Sequence, residues 1–561
     1  MLENYFRRKL PSGKEYADRL ERELKLIKQF KFQDVFLQVR EILDLVPDFR
    51  FITRGSAGCS LVAYLLELHN MNPIENGFVL SRFMHENRSD LPDIDIDFAY
   101  DQRDIVLEKV KNKYPNRVAR ISNHVKYQAN SAIRQAIRNT GYNKFVPKFY
   151  DLESITNKKN DVIEESQRLI GTFKNYSLHC GGIVIFPEKI PEELKINDSQ
   201  IKLNKDEVEE QGLFKIDLLC NRGLAQFNEL SSKTLEEYPE TDEKTSNMFC
   251  SGSSWGVTFA ESPAQRQLHK KIQPKSRNDV IFSLALIRPL PSADGRKLKA
   301  LEHYQQNKSG LVYDDDGIIF IKNLLNCSES EAELYRKAFC KNNQPKIGEF
   351  EQRIQHIPFK NEIMKELSYF ALYSFCRAHA TSYGNLVWAL GYEKTRQPHK
   401  FWCSVLNHAQ SMYRPWVHVE QAKSAGLKFA KFGKGPWKLI ENQLYPAYHE
   451  PISDELCQFK KRGYWTANRF LSGMHLRIQQ NNVRFKGLIA TSRYHAVSDK
   501  DISFVTIGTN EGMFDLILDG TPPIEKYDVI EGNGILSYDS IQVQNFSFSN
   551  IEKRNLQKSL F

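Results

Sequence analysis

Nothing in these 561 residues approaches an apolar run of eighteen, which excludes a helix able to cross a bilayer. The opening, Met1-Leu2-Glu3-Asn4-Tyr5-Phe6-Arg7-Arg8-Lys9, lacks the pattern of a secretory leader. The nine cysteines are scattered, odd in number and nowhere spaced Cys-x-x-Cys. That argues against a disulfide frame or a zinc site and for reduced thiols in the cytoplasm. Low-complexity tracts and internal repeats are missing, so neither a solenoid nor a disordered array is expected. An acidic excess is missing too. The net charge of +9 suits a polyanionic partner without requiring one. The 41% of apolar residues suffices for ordinary cores, and the length calls for several domains.

What is present centres on residues 54–98. They open on Arg54-Gly55-Ser56-Ala57-Gly58-Cys59-Ser60 and close on Pro92-Asp93-Ile94-Asp95-Ile96-Asp97-Phe98. The closing run alternates strictly, which predicts a strand with Asp93, Asp95 and Asp97 on one face and Ile94, Ile96 and Phe98 on the other. Three carboxylates on one strand face repel unless a cation sits among them, and Mg²⁺ takes such oxygen ligands. In the opening run, small residues let backbone N–H groups approach a ligand. The apolar helix that follows (Leu61, Val62, Tyr64, Leu65, Leu66) is expected to aim its positive end at the same place, forming a phosphate cradle. A solvated strand face beside an ordinary loop is the plainer alternative.

Together the two runs resemble the palm of the bacterial C-family DNA polymerases, the polymerase III alpha-subunit family, with its Arg-Gly-Ser-Ala-x-x-Ser turn and Pro-Asp-x-Asp-x-Asp-Phe strand. Further segments continue the resemblance. Ser177-Leu178-His179-Cys180-Gly181-Gly182-Ile183-Val184-Ile185 reads as a turn feeding a buried strand and resembles the family's His-x-Gly-Gly. Gly212-Leu213-Phe214-Lys215-Ile216-Asp217-Leu218-Leu219 is an apolar strand carrying two charges, which is costly unless they are paired or metal-bound. It is similar to the segment that delivers the third catalytic carboxylate. Trp255 to Ser262 resembles Gly-x-Phe-x-x-Glu-Ser, and Ala285 to Pro289 resembles Ala-Leu-x-Arg-Pro. Ala332 to Ala338 with Lys341 resembles a basic helix of the fingers, and Phe375-Cys376-Arg377-Ala378-His379-Ala380 its nucleotide-facing segment. By contrast, Tyr313-Asp314-Asp315-Asp316-Gly317 reads as a hinge or surface loop rather than a metal site.

The resemblance implies a multidomain α+β fold with a nucleotidyltransferase-type palm, helical thumb and fingers, and a C-terminal OB-type barrel. The implied boundaries are palm 1–123, with a helical lead-in over 16–44, thumb 124–175, and second palm segment 176–225. Fingers follow at 226–426, a shortened connector at 427–480, the barrel at 481–545 and a tail at 546–561. Residues 483–545 independently alternate as five short strands, a pattern common in single-strand binders. Full-length relatives carry a phosphoesterase-like domain ahead of the palm, so a compact form without it is expected, and with no His-rich cluster no proofreading site.

The activity implied is template-directed addition of deoxynucleotides to a primer 3′ end. Asp93, Asp95 and Asp217 would be catalytic and would hold two Mg²⁺ ions, with Mn²⁺ as a substitute. Arg54, Gly55, Ser56, Lys215, Arg336, Lys337, Lys341, Arg377 and His379 would bind the nucleotide, with Asp97 and His179 supporting. Several segments, Cys376 to His379 among them, lean toward the error-prone, damage-tolerance branch. The final residues, Gln557-Lys558-Ser559-Leu560-Phe561, resemble a sliding-clamp peptide with Gln557, Leu560 and Phe561 as anchors; a frayed end is the alternative. Expected partners are primer–template DNA, deoxynucleoside triphosphates, the clamp and other polymerase or damage-tolerance subunits, in the nucleoid-associated cytoplasm and away from membranes. Two other activities stay open: a DNA- and clamp-binding scaffold with vestigial activity, and an untemplated nucleotidyltransferase.

Overall fold

The computed structural model describes residues 2–88, 93–142, 158–289, 296–306, 310–372, 374–409, 411–413, 415–430, 436–445, 471, 473–497, 500–524, 528–537 and 540–550. The amphipathic lead-in forms the helices Lys14–Phe30 and Gln33–Asp44. They cover one face of a seven-stranded sheet. Its strands are β1 (Phe51–Arg54), β2 (Ile94–Ala99), β3 (Val118–Lys126), β4 (Phe173–Ile185), β5 (Lys195–Asn197), β6 (Gln200–Ile201) and β7 (Lys215–Asn221), in the order β1-β2-β7-β4-β3-β6-β5. Strands β2 and β7 run parallel, while β1 and β4 flank them antiparallel. Ile94, Ile96 and Phe98 pack with Ile216, Leu218, Ile183 and Ile185 against the lead-in helices, so the period of two in the sequence becomes an apolar face and an acidic face.

Beyond the main sheet, β3 and β4 continue as a ribbon that carries the helical pair Ala129–Asn139 and Lys159–Leu169. Residues 124–126 and 173–175, expected within a helical thumb, thus belong to strands. Likewise Ser177 to Ile185 is the end of one continuous strand and not a turn entering one.

Residues 222–424 are mainly helical. At their centre the helix Arg377–Arg396 is buried along most of its length and touches β1 on one side and the helices Arg222–Leu230, Glu243–Cys250 and Arg277–Leu286 on the others. A Cβ at Gly384 would stand 2.2 Å from Ile281, so glycine sets how closely two of these helices cross. The Asp314–Asp316 triplet, read as a hinge or surface loop, is the buried first turn of the helix Asp314–Leu325. A triplet of like charges reads as solvated in sequence; its partners come from elsewhere in the chain and draw it inside.

A small three-stranded sheet, β8 (Lys428–Phe429), β9 (Lys438–Ile440) and β10 (Gln443–Tyr445), precedes the C-terminal barrel. Strands β12 (Asn482–Val497), β13 (Lys500–Thr509), β14 (Gly512–Asp519), β15 (Asp528–Ser537) and β16 (Ser540–Asn550) close a five-membered ring, with β11 (His475–Gln479) added beside β12. Closure rests on the length of β12, which pairs with β15 through Leu488 and with β13 from Leu488 onward, with a bulge between Ile489 and Thr491. Asp515 on the barrel accepts a hydrogen bond from Arg266 at 2.9 Å, and that guanidinium lies 3.7 Å from the centre of Trp255. The barrel is therefore tied to the fingers. The tail with Gln557, Leu560 and Phe561 lies outside the described residues.

Candidate active site

Parallel register places Asp95 directly beside Asp217, and antiparallel register places Arg54 on the other side of Asp95. Neighbouring strands are about 4.8 Å apart, so two carboxylates and a guanidinium share one small patch of sheet. Asp93, just ahead of β2, and Lys215, two residues before Asp217 on the same face, complete it. The Lys215 ammonium donates to Asp217 Oδ2 at 2.5 Å and lies 3.5 Å from Asp93 Oδ1; Lys205 reaches Asp93 Oδ2 at 3.1 Å. Burial and the charges of Asp217 and Asp93 push Asp95 up to about 7. Burial would raise Asp93 as well, but the two lysines outweigh it and hold this carboxyl below its ordinary value. Lys215 would be lowered by burial and is instead held above its usual value by Asp217 and Asp93. Asp93 and Asp95, successive carboxylates of one acidic run, thus carry opposite shifts.

Asp97 is 1% exposed and turns from the other carboxylates toward a different set of partners. Asn221 Nδ2 and the Tyr383 hydroxyl each donate to its Oδ2 at 2.8 Å, and Arg54 Nε lies 3.5 Å from Oδ1. Arg54 in turn donates to the Tyr383 oxygen at 3.0 Å. Asp97 therefore anchors Arg54. His179 Nδ1 accepts the backbone N–H groups of Gly182 at 2.7 Å and Gly181 at 3.3 Å, which fixes it as the acceptor nitrogen, and burial lowers its pKa. It lies 3.7 Å from Asp217 Oδ1. A Cβ on Gly182 would sit 2.8 Å from that nitrogen, so the glycine is needed for the approach. Tyr383, Asn221 and Lys205 escaped sequence reasoning. Period two from Asp217 to Asn221, and the helical spacing of His379 and Tyr383, are the signals that could have found the first two.

The phosphate cradle departs from expectation. The N-terminus of the short helix Leu61–Leu65 is occupied by Glu23, which accepts from Leu61 N at 2.8 Å, Val62 N at 3.0 Å and the Ser60 hydroxyl at 2.7 Å. A protein carboxylate already fills the position expected for a phosphate. What faces Asp95 is the turn itself: Gly55 has φ +75°, and a Cβ there would stand 3.4 Å from Asp95 Oδ2. Ser56 follows it, half-buried. The helix Arg377–Arg396 repeats the pattern, since Asp315 Oδ2 accepts from Arg377 N at 2.8 Å. The Arg377 guanidinium also donates to Asp316 Oδ1 at 2.9 Å.

Other finger residues are placed apart from the carboxylates. Arg336 is buried, donates to both oxygens of Glu333 at 2.6 and 2.9 Å, and lies 3.4 Å from Asp314, which also accepts from Arg82 at 2.9 Å. Lys337 is half-buried on the same helix, and Lys341 is exposed just past its end. His379 stands nearer the site, with its ring 4.8 Å from that of Tyr383. Burial and then Arg54, Arg288 and Arg82 press it down to about 3, so it is neutral at physiological pH.

Residues 1–220 match the family model of the bacterial DNA polymerase III alpha NTPase domain, and residues 222–361 match that of the bacterial DNA polymerase III alpha subunit finger domain. The chain belongs to the bacterial DNA polymerase III alpha family. It is similar to the DNA polymerase III subunit alpha of Aquifex aeolicus, at 27% identity over 74% of this chain and 43% of that one. It is similar to the error-prone DNA polymerase of Bdellovibrio bacteriovorus at 26% identity, over 73% of this chain and 45% of that protein. With the alpha subunit of Bacillus subtilis it shares 26% identity over 70% of this chain and 41% of that one. The chain thus spans less than half the length of these relatives. No helix among the described residues is long and apolar enough to cross a membrane.

DNA polymerases of this kind normally use divalent metal ions. Among the described residues no three His, Cys, Asp or Glu side chains stand as a preformed cage. Mg²⁺ needs none, being held by one or two carboxylates with the remaining ligands supplied by substrate phosphate and water. Asp95 and Asp217 fit that requirement on chemical grounds. Asp217 Oδ1 is buried with no hydrogen-bond donor, and the crowding that keeps Asp95 protonated to about 7 is what a cation relieves.

A pH dependence follows. Asp95 titrates near 7 in the folded chain and near 3.9 when unfolded, so the folded state holds the extra proton between those values. Its contribution to stability falls as pH rises through that window. A divalent cation competes with the same proton, so its affinity should climb, by up to about tenfold per pH unit, until pH ~7 and then level. The thermal shift produced by Mg²⁺ should accordingly be larger at pH 8 than at pH 5.5. Equal shifts would remove Asp95 from the ion's ligands.

Proposed function

We propose that this chain is a template-directed DNA polymerase that adds deoxynucleotides to a primer 3′ end, works without proofreading, and belongs to the error-prone, damage-tolerance branch. The observation that carries the reading is the register of β2 and β7, which sets Asp95 against Asp217 between Arg54 and Lys215. Asp93, Asp95 and Asp217 are the residues to hold two Mg²⁺ or Mn²⁺ ions. When bound, these ions supply acidification of the primer hydroxyl and neutralisation of the leaving pyrophosphate. Arg54, Gly55 and Ser56 line the side where triphosphate oxygens arrive. Lys215, bonded to Asp217 on the same strand face, would be within reach of phosphate. Asp97 and Tyr383 hold Arg54 in place, and neutral His179 stands beside Asp217 as a supporting residue. The contribution of the protein is positioning and charge stabilisation, the usual basis of phosphoryl transfer.

Arg377 and His379 are the finger residues nearest this role. Lys337 and Lys341 remain proposed contacts at the periphery, and the pairing of Arg336 inside the fingers supports a structural part for it over a nucleotide contact. Template dependence tests the reading. The base added should follow the template base in each of four otherwise identical primer–templates. The same product on all four would mark an untemplated transferase, and none on any, with DNA still bound, a scaffold.

The tail carries a second proposal, binding to the sliding clamp through Gln557, Leu560 and Phe561. Two adjacent apolar anchors and one orienting amide suit a pocket on a ring-shaped partner. Deleting residues 557–561 should abolish clamp-stimulated synthesis and leave basal extension within about twofold, since the motif contributes none of the residues proposed for catalysis. Loss of basal extension would show the tail to be structural.

A further inference from the structure

Phe259 combines three properties that rarely occur together. Its backbone is left-handed, with φ +69°, a conformation that bulky side chains avoid. The residue is 39% exposed. And its ring lies flat on Tyr383, with centroids 4.5 Å apart and planes within 12°.

Surrounding contacts hold the strained backbone in place. Glu261 is held down at about 2 against its own burial by His418 and Arg222, which lie 2.8 and 3.0 Å from its carboxylate. That carboxylate accepts the Gly256 N–H at 3.1 Å, while Gln226 donates to Gly256 O at 3.0 Å and Thr258 donates to Gln226 at 2.9 Å. Ser254 closes the loop by donating to Ala260 O at 2.8 Å. Every neighbour of Phe259 in the loop is fixed inward, and its ring alone is presented outward. A strained residue that the surroundings over-determine is a mark of function.

The ring also ends a column. Phe375, His379 and Tyr383 recur every four residues. Phe375 and His379 stack at 4.3 Å, His379 meets Tyr383 edge-on at 4.8 Å, and Arg288 lies 3.8 Å beyond Phe375. Phe259 is the terminal plate, and the next ring inward, Tyr383, bonds Asp97 and Arg54. A flat apolar face at the edge of a carboxylate and arginine patch matches a nucleotide, whose base is planar and whose phosphates are anionic.

We infer that the outer face of Phe259 is a stacking platform for a nucleobase at the reacting end of the substrate. The inference rests on the polymerase reading of the same site. Base–aromatic stacking tolerates any base, since each has a π-face, so the platform would position without selecting. The base has two sources, the incoming triphosphate and the template strand.

The test uses the full chain with 2-aminopurine, whose fluorescence is quenched on stacking, carried either by the triphosphate or by the templating position. Wild type should quench one probe, and the probe quenched names the source. Phe259→Ala and Phe259→Leu should both lose that quenching and raise KM for nucleotide, or Kd for primer–template, by roughly tenfold, the scale of one lost stack, with kcat changed less. Phe259→Trp should retain quenching and affinity. Leucine keeps apolar cover over Tyr383 but has no flat face, so wild-type behaviour in Phe259→Leu would show packing alone and overturn the inference. Absence of quenching of both probes in a wild-type chain that extends primers would also overturn it while leaving the polymerase reading intact. A wild-type chain that extends no primer would instead refute that reading.

Discussion

Asp95→Asn and Asp217→Asn are each expected to slow nucleotide addition at least ~1,000-fold, about 4 kcal/mol of lost transition-state stabilisation, with little change in primer–template affinity. The two side chains stand side by side on adjacent parallel strands, so losing either leaves the pair with a single carboxylate. Asp93 and Asp97 occupy other positions. Asp93 is the outer carboxylate, and Asp93→Asn should be nearly as damaging because it removes one partner of Lys215 and Lys205. Asp97→Asn should be milder, since an amide oxygen still accepts from Tyr383 and Asn221. DNA affinity is dominated by phosphate contacts that these carboxylates do not make, so binding should survive. Single-turnover incorporation with a parallel binding titration reads both quantities. Activity in Asp95→Asn with a dead Asp97→Asn would invert the assignment within β2.

Arg336→Ala is expected to destabilise the fingers by about 3–5 kcal/mol, because Glu333 and Asp314 would be left as buried carboxylates short of a partner. Arg82 would still reach Asp314, but nothing comparable replaces the bidentate contact to Glu333. The loss corresponds to roughly 10 °C in the unfolding of that unit and to earlier proteolysis within 314–370. The experiment also separates two roles for the side chain. A nucleotide contact would raise KM and leave unfolding unchanged, whereas a buried structural pair lowers the unfolding temperature first.

The patterns with short periods were legible in the sequence. Asp-Ile-Asp-Ile-Asp-Phe specified an acidic and an apolar face with no other information, and the alternation over 483–518 specified barrel strands that the structure contains. Partner choice was not legible, because it is made across long separations. Glu23 lies on the first helix and caps one that starts 38 residues later, and Asp315 caps a helix that starts 62 residues later. Each helix N-terminus looked free from its local sequence and is filled by a carboxylate that no local rule connects to it. The same blindness made Asp314 to Asp316 look solvated and Arg336 look available. Tyr383 was hidden for a different reason. A tyrosine in an apolar helix reads as core until its hydroxyl is found on Asp97.

On the proposed function, Asp95 and Asp217 act as one metal-holding pair. This pairing is tested most directly by counting Mn²⁺ ions, by electron paramagnetic resonance, on the full chain in complex with primer–template and a non-hydrolysable triphosphate. Two ions per wild-type complex are expected, with at least one fewer in both Asp95→Asn and Asp217→Asn and an unchanged count in Arg336→Ala. A full complement of ions in either aspartate variant would contradict the pairing.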